Sequence, residues 1–277
     1  MEFKELGATG TMVPEIGIGV WRYGGGVAPL RKAVDLGASL IDTAEVYGTE
    51  NVVGQAIKGI RDRVFVASKV SGDHLRHKDV LKAAEASLKR MDISCIDLYQ
   101  IHWPAGHVPI TETMRAMEDL ADRGMIKYIG VSNFSAAELR EALAAMKHHP
   151  IVSNQVIYSL NRRGIEDELV PYCAQNQVTI IAFTPLDSGR LARRAEYESN
   201  PKGMRTLEQI AKETGKSLAQ VALNWITAKP GTITIPKSDH VERVEENCGA
   251  SGWRLSTDQV RLLDAAFTPS RDDDDDD

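Results

Sequence analysis

The sequence predicts a (β/α)8 barrel, preceded by a short β-hairpin, and three observations support this fold class. Short β-rich runs alternate with helical runs from about residue 15, and there are eight β-rich runs between residues 16 and 236. These runs are apolar on both faces, which is typical of parallel strands covered by helices. Eight β–α units also suit the usual length of such a barrel, about 250 residues.

The predicted elements follow one another along the chain with recognisable boundaries. The strands are predicted at 16–20, 38–42, 64–69, 96–102, 126–132, 151–157, 178–184 and 231–236. Helices between them include 79–91, 110–124 and 135–149. Ser135, with Glu138 three residues later, has the pattern of a capping box, and Gly124 fits the position just after a helix.

The segments outside this β–α pattern are predicted to be a hairpin and loops. Residues 3–19 predict a small hairpin with its turn at 8–10, placed to cover the bottom of the barrel. Residues 187–203 are polar and predict a loop, followed by two helices before the last strand. A doubly wound open sheet is the alternative, but no GxGxxG motif follows an early strand. The glycines at 24–26 are therefore interpreted as a βα loop.

The charge of the chain is concentrated in its last residues. The formal net charge is −6, and Asp272–Asp277 supply six negative charges, so the rest of the chain is balanced. The acidic segment 271–277 has no apolar residue and repels itself, which predicts disorder. We therefore expect one barrel domain over residues 1–270 and a disordered acidic tail over 271–277.

Composition argues against several classes of function. There is no basic stripe, so nucleic-acid binding is not expected. No apolar stretch approaches the ~18 residues of a membrane span, and the first residues lack the apolar core of a signal peptide. Three scattered cysteines suggest reduced thiols and a cytoplasmic protein. The histidine pairs at 74 and 77 and at 148 and 149 lack a third ligand, so no metal site is predicted.

Four ionisable side chains lie at or just after the ends of predicted strands. Asp42, Lys69 and His102 close the second, third and fourth strands, and Tyr47 follows Asp42 by five residues. The carboxyl ends of barrel strands meet at one face, where active sites lie. The sequence therefore predicts a shared catalytic site for these residues.

Their chemistry favours proton transfer. A free phenol has a pKa of about 10 and is a poor acid at pH 7. The ammonium of Lys69 would lower the pKa of Tyr47, and Asp42 would hold Lys69 in place. The imidazole of His102 would donate a hydrogen bond to a substrate oxygen. Such a site is suited to protonating a carbonyl oxygen as hydride reaches the carbon.

Two tryptophans stand beside this site. Trp21 and Trp103 directly follow the first and fourth strands, and they would line an aromatic substrate pocket or pack the rim of the barrel. Both interpretations remain open. Ser132 is not interpreted as a nucleophile, because its surroundings lack the GxSxG motif.

Seven motifs in order resemble the aldo-keto reductase superfamily, over about residues 3–267. They are IDTAEVYG, VFVASKV, DLYQIHWP, IGVSNF, NQVIYSL, IIAFTPLDSGRL and TIPKS. The chain is similar to the compact bacterial and archaeal members of the family. The resemblance implies that Asp42, Tyr47, Lys69 and His102 form the catalytic tetrad. Tyr47 would be the acid in reduction and the base in oxidation.

The resemblance also implies a nicotinamide cofactor and a substrate pocket. The implied cofactor contacts are Val20, Trp21, Asp42, Ser132, Asn133, Gln155, Phe183, Thr184, Leu186, Ser188, Lys237, Ser238, Arg243, Glu246 and Asn247. The implied substrate pocket consists of Trp21, Tyr47, His102 and Trp103. Lys237 and Arg243 match the lysine and arginine that hold the 2′-phosphate of the cofactor in the family. Their positive charge suits that role, so NADPH is favoured over NADH.

The predicted function is NADPH-dependent, reversible reduction of small aldehydes or ketones to alcohols, by a protein expected to be a monomer. The alternative is a regulatory module of the same fold that binds NAD(P)H with little turnover. A metal-dependent barrel enzyme would need ligands that the sequence does not show. Two positions depart from the family pattern, Val20 for a common threonine and Asp187 for a common glycine. Asp187 would weaken pyrophosphate binding unless it faces solvent or pairs with Arg190 or Arg193.

Overall fold

The computed structural model describes residues 1–193 and 200–268, and eight parallel strands form its central sheet. The sheet strands are β3 (Ile18–Gly19), β4 (Leu40–Asp42), β5 (Phe65–Val70), β6 (Ile96–Ile101), β7 (Ile126–Ser132), β8 (Ile151–Ile157), β9 (Thr179–Phe183) and β10 (Thr232–Thr234). They are hydrogen-bonded to one another in chain order, from β3 to β10. Each predicted strand is therefore present, within a few residues at its ends.

The sheet closes into a barrel between its first and last strands. Parallel bridges join Ile16 to Thr234 and Gly19 to Lys237. The N–H of Gly17 also donates to the carbonyl of Thr234 at 2.8 Å. The predicted (β/α)8 barrel is confirmed, and the open doubly wound sheet is wrong.

Helices connect the strands and cover the outside of the barrel. They are α1 (Val27–Asp35), α2 (Glu50–Ile57), α3 (His77–Met91), α4 (Ile110–Asp122), α5 (Ala136–Ala145), α6 (Leu169–Gln175), α7 (Pro201–Thr214), α8 (Leu218–Thr227), α9 (Val241–Cys248) and α10 (Thr257–Ala266). The capping box of Ser135 and Glu138 is confirmed at the start of α5. Gly124 follows α4 with a φ of 69°, the left-handed conformation that glycine adopts readily.

Two predicted boundaries are wrong. Helix α5 ends at Ala145 rather than at residue 149, because Glu118 accepts hydrogen bonds from three successive backbone N–H groups at 147–149. The predicted loop over 187–203 contains a 3-10 turn at Asp187–Ala192 and the start of α7 at Pro201. Asn200 caps the start of α7, because its side-chain oxygen accepts the N–H of Gly203 at 2.8 Å. The segment is polar, and for that reason the sequence predicts a loop there instead of a helix start.

The hairpin closes the lower end of the barrel, as predicted. Its strands are β1 (Phe3–Glu5) and β2 (Met12–Pro14), which pair antiparallel. Leu6 and Val13 of this unit belong to the same buried cluster as Leu40 and Leu98 of the barrel interior. Apolar side chains of the hairpin therefore contribute to the filling of the lower half of the barrel.

The predicted disordered tail at 271–277 lies outside the described residues and remains a prediction. Within the described parts of the chain, no helix has the length and apolar character needed to cross a bilayer.

Candidate active site

A buried ion pair between Asp42 and Lys69 lies at the upper end of the barrel. Asp42 is the last residue of β4, and Lys69 projects from the neighbouring strand β5. The ammonium of Lys69 donates to Asp42 Oδ1 at 2.6 Å and to the carbonyl of Thr43 at 3.0 Å. Lys69 is 0% exposed, so these partners replace the water that a charged group requires. Burial lowers the pKa of Lys69, and the charge of Asp42 opposes that effect.

The second oxygen of the Asp42 carboxylate faces two side-chain amides. Gln155 Nε2 donates to Asp42 Oδ2 at 2.8 Å, and Gln100 Nε2 lies 3.4 Å from the same oxygen. Both glutamines are buried. The carboxylate is thus held on both sides, with its ammonium partner in a fixed position.

Tyr47 is placed by a short turn that is tied to the neighbouring loop. The turn, Glu45–Tyr47, is a single 3-10 turn that follows β4. The hydroxyls of Thr43 and Thr49 on either side of it lie 2.9 Å apart. The carboxylate of Glu45 accepts the backbone N–H of Ser71, which follows β5. These contacts fix the turn, and hence the phenol, relative to Lys69.

The phenol of Tyr47 meets both the imidazole and the ammonium. Its oxygen lies 3.2 Å from His102 Nε2, within hydrogen-bond distance. Its ring centroid lies 5.0 Å from Lys69 Nζ. His102 follows directly after β6, two residues beyond the register partner of Lys69 on β5, and the charge of Lys69 acts on its imidazole. The structure therefore brings together all four predicted catalytic side chains.

The protonation states of these groups follow from burial and from their neighbours. Burial raises the pKa of Tyr47 above its ordinary value, and the negative charge of Asp42 adds to this effect. Burial, aided by the charge of Lys69, lowers the pKa of His102 to about 3. At neutral pH the site therefore holds a protonated phenol and a neutral imidazole.

The prediction that Lys69 lowers the pKa of Tyr47 is wrong in this structure. The ammonium of Lys69 is paired with Asp42 at 2.6 Å, and the negative charge of Asp42 acts on the phenol in the opposite direction. Loss of solvation on burial then dominates, and it favours the uncharged phenol. Tyr47 is consequently protonated at neutral pH.

The two tryptophans differ in their surroundings. The ring of Trp103 packs against His102, with centroids 4.4 Å apart. A Cβ at Gly72 would lie only 2.0 Å from Trp103 Nε1, so the glycine is required for this packing. Trp21 is 52% exposed, and the guanidinium of Arg22 lies 4.3 Å from its ring centroid. Trp103 thus supports the imidazole, whereas Trp21 presents an apolar surface to solvent.

Hydroxyl and amide side chains gather at the ends of β7 and β8. Ser132 and Gln155 are partners in register, and Ser132 Oγ donates to the carbonyl of Gln155 at 2.8 Å. Asn133, with a φ of 61°, donates from Nδ2 to the carbonyl of His102 at 3.0 Å. Hydroxyl and carboxamide groups both donate and accept hydrogen bonds, which fits the carboxamide of a nicotinamide.

A tightly wound loop follows β9. Thr184, Asp187 and Ser188 have φ values of 50°, 48° and 55°, which are uncommon outside glycine and cluster at functional sites. Asp187 is buried, accepts from Asn161 Nδ2 at 3.1 Å and lies 3.7 Å from Arg190. Pairing with Arg190 is one of the conditions under which Asp187 is not expected to weaken pyrophosphate binding. Its charge is therefore balanced within the loop.

Two exposed cations lie beyond the last strand. Lys237 forms an ion pair with Asp239, whose Oδ1 accepts the N–H of Gly24 at 2.9 Å. Arg243 of α9 pairs with Glu246 at 2.6 Å. The side chains of Lys237 and Arg243 are 36% and 57% exposed, so both remain accessible to an anion.

The other implied cofactor contacts are buried to different degrees. Val20 is 0% exposed and packs in the apolar layer between barrel and helices, and its contact with the cofactor remains a prediction. Ser238 and Asn247 are 6% exposed. Phe183 and Leu186 are partly buried against apolar clusters, which leaves part of each side chain available.

Sequence reasoning missed three polar contributors to this site. Gln100 faces Asp42, Glu45 fixes the Tyr47 turn, and Thr49 closes it. For Gln100 a signal existed, because strand side chains alternate and Gln100 lies two residues before His102. Within residues 1–193 and 200–268, no group of three or more metal-binding side chains is assembled.

A phenol, an imidazole and a buried ion pair lie beside hydroxyl and amide side chains at one end of the barrel. The chain belongs to the Aldo/keto reductase family, whose model matches residues 15–267. Methylglyoxal reductase YeaE of Escherichia coli is 36% identical over 266 residues, which cover 92% of this chain and 91% of that protein. Glyoxal reductase of Bacillus subtilis is 36% identical over 262 residues, covering 92% and 90%.

Solved structures agree with this assignment. A thermostable aldo-keto reductase in complex with the inhibitor epalrestat has a TM-score of 0.89 and 40% identity, covering 96% of this chain and 100% of that one. An aldo-keto reductase from Klebsiella pneumoniae in complex with NADPH has a TM-score of 0.85 and 36% identity, covering 94% and 93%. The protein is therefore an NAD(P)H-dependent oxidoreductase of a carbonyl-reducing family.

Proposed function

We propose that the protein uses NADPH to reduce the carbonyl of small aldehydes or ketones to alcohols, reversibly, with Tyr47 as proton donor. The observation that carries this proposal is the hydrogen-bond distance of 3.2 Å between Tyr47 Oη and His102 Nε2. A phenol kept protonated by burial thus stands beside a neutral imidazole. Together they offer two polar groups to one carbonyl oxygen.

Each residue of the site has a distinct part in proton transfer. The Tyr47 hydroxyl gives its proton to the carbonyl oxygen as negative charge develops there. His102 orients that oxygen through Nε2. The phenolate that remains on Tyr47 is stabilised by the ammonium of Lys69, whose Nζ lies 5.0 Å from the ring centroid. Asp42 keeps Lys69 in place, and in alcohol oxidation the same phenolate takes the proton back.

The donor set of the upper barrel fits the cofactor. When bound, the nicotinamide supplies the hydride. Ser132, Asn133 and Gln155 would hold its carboxamide, and Phe183 would face its ring. The wound loop at 184–188 would hold the pyrophosphate, because backbone N–H groups in such turns bind anions. Lys237 and Arg243 would hold the 2′-phosphate.

Exposed apolar side chains stand close in sequence to the site residues. Trp21 follows the first barrel strand, Val46 directly precedes Tyr47, and each is 52% exposed. Related proteins are named methylglyoxal reductase and glyoxal reductase, which suggests small dicarbonyls as the first substrates to test.

Turnover and cofactor binding, measured on one preparation, test this proposal. NADPH oxidation is followed with methylglyoxal, glyoxal and a panel of simple aldehydes and ketones, while NADPH binding is followed by fluorescence. The proposal expects saturable, carbonyl-dependent oxidation of NADPH. A tight NADPH complex without turnover of any carbonyl would favour the regulatory module instead.

Selectivity for NADPH over NADH is expected to depend on Lys237 and Arg243. Each charge-assisted contact with the 2′-phosphate contributes about 1.5 kcal/mol, so Lys237→Met or Arg243→Leu should raise the KM for NADPH roughly tenfold. The KM for NADH should change little, because NADH has no 2′-phosphate. Arg261→Leu is a matched control, since Arg261 is an exposed arginine on α10. An equal rise in KM for both cofactors would contradict the assignment.

A further inference from the structure

Gln100 lies in the barrel interior beside the Asp42–Lys69 pair, and no step proposed above uses it. Strand β6 carries Leu98, Gln100 and His102 on one face, since side chains alternate along a strand. Gln100 is the register partner of Lys69 on β5 and is 0% exposed. It therefore occupies the layer directly below His102.

Only one of the two polar atoms of the Gln100 amide has a hydrogen-bond partner among the described residues. Its Nε2 lies 3.4 Å from Asp42 Oδ2, whereas its Oε1 has no hydrogen-bond partner among the described residues. An unpaired amide oxygen in a barrel interior is unfavourable, and an apolar side chain of similar size would avoid it. The reverse orientation of the amide would bring its oxygen against a carboxylate, since only its NH2 group can donate. The amide is thus explained by the carboxylate that it faces.

The barrel provides room for this amide. Gly130 on β7 is the register partner of Gln100 on one side and of Ser153 on the other. A Cβ at Gly130 would lie 2.9 Å from Gln100 Cγ and 2.5 Å from Ser153 Oγ. Any larger residue at 130 would therefore displace one of the two side chains.

We infer that Gln100 is a positioning residue for proton transfer, which holds the Asp42 carboxylate and thereby places the Lys69 ammonium beside Tyr47. Asp42 Oδ1 is engaged by Lys69, and Oδ2 is shared by Gln155 and Gln100. The second amide, at 3.4 Å, adds a contact that opposes rotation of the carboxylate about its Cβ–Cγ bond. The inference rests on the proposed function, because it concerns the same proton donor.

Few charged or titratable groups can act on the phenol apart from this pair. Those that face Tyr47 are Asp42, Lys69 and His102. Glu45, on the same turn, directs its carboxylate to the backbone of Ser71 and to His74. A disturbance of the Asp42 carboxylate should therefore reach Tyr47 mainly through Lys69.

The first test replaces the amide by an apolar side chain of similar length. Gln100→Met should lower kcat for methylglyoxal or another accepted carbonyl about tenfold, because catalytic groups lose rate when they are slightly displaced. The KM for the carbonyl and the Kd for NADPH should stay within about twofold, since Gln100 touches neither. Ser153→Ala is the matched control, because Ser153 shares the register partner Gly130 with Gln100 and its hydroxyl has no hydrogen-bond partner among the described residues.

The second test asks whether donation by the amide matters. In Gln100→Glu, burial and the neighbouring Asp42 would raise the pKa of the new carboxyl, so it is a neutral donor in acid and is ionised as the pH rises. The kcat of this variant should approach that of the wild type near about pH 5.5 and fall with rising pH. Gln100→Met should stay low at every pH.

Three results would overturn the inference. They are unchanged kcat in Gln100→Met, an equal loss in Ser153→Ala, and no recovery of Gln100→Glu in acid while its melting temperature matches the wild type. A wild-type protein that turns over no carbonyl would instead overturn the proposed function. Failure of the Gln100 inference and failure of the proposed function therefore give different results.

Discussion

Replacing Tyr47 with phenylalanine should lower kcat for carbonyl reduction by about three orders of magnitude, since a positioned general acid typically contributes 10²- to 10⁴-fold. The substitution removes one oxygen and keeps the ring that packs beside His102 and Lys69. No other hydroxyl takes part in the contacts of His102 Nε2 that the structure describes. The carbonyl oxygen would then have to take its proton from water.

Cofactor binding separates this effect from a general disturbance. The Kd for NADPH, measured by fluorescence titration, should be nearly unchanged in Tyr47→Phe. Tyr128→Phe is the matched control, because the hydroxyl of Tyr128 lies 2.5 Å from Thr11 Oγ1 of the hairpin, at the opposite end of the barrel. Turnover by Tyr47→Phe within about tenfold of the wild type would contradict the role of the phenol.

Replacing Lys69 with methionine should reduce both activity and stability. Lys69 and Asp42 are 0% and 2% exposed, so the substitution would leave a buried carboxylate without its charge partner. Such a loss lowers the free energy of unfolding by about 3–5 kcal/mol. It would also remove the cation that stabilises the phenolate, so kcat should fall by at least about a hundredfold.

Two further variants show how much of the stability change in Lys69→Met comes from leaving a buried charge unpaired and how much from losing an ion pair. Arg63 and Asp35 form an exposed ion pair at 3.0 Å, and Arg63→Met should lower the free energy of unfolding by less than about 1 kcal/mol. In the double variant Lys69→Met with Asp42→Asn, part of the lost stability should return, because no uncompensated charge remains. Urea unfolding measures all of these differences. Equal effects of Lys69→Met and Arg63→Met on stability would contradict the buried pair.

The barrel and its catalytic face could be predicted because their signals are local. Each strand is a short apolar run, and each of Asp42, Lys69 and His102 stands at a strand end. In a closed barrel of parallel strands, such ends must converge. The position of the phenol follows too, since Tyr47 lies only five residues beyond Asp42.

Contacts between distant parts of the chain could not be predicted in the same way. Gln155 and Asp42 are 113 residues apart in the sequence, yet their side chains share a hydrogen bond. The early end of α5 depends on Glu118 of a preceding helix. Such pairings depend on side-chain geometry, which periodicity does not encode.

The pKa of Tyr47 shows that residue types alone can predict the wrong direction of a pKa shift. From residue types alone, a lysine near a phenol suggests a lowered pKa for the phenol. In the folded protein burial raises the pKa of Tyr47, and the charge of Asp42, which is paired with that lysine, raises it further. The balance between desolvation and charge depends on distances and exposure, and a sequence supplies neither.

The pH dependence of carbonyl reduction by the wild-type protein reports the protonation state of Tyr47. Reduction requires protonated Tyr47, and a raised pKa means that this form is lost only as the pH rises through that raised value. His102, with its pKa lowered to about 3, stays neutral throughout the neutral range. We therefore predict a kcat/KM for reduction that is nearly constant from about pH 6 to about pH 9. A fall of about tenfold per pH unit beginning near pH 7 would contradict the account, because it would show that the phenol is already losing its proton there.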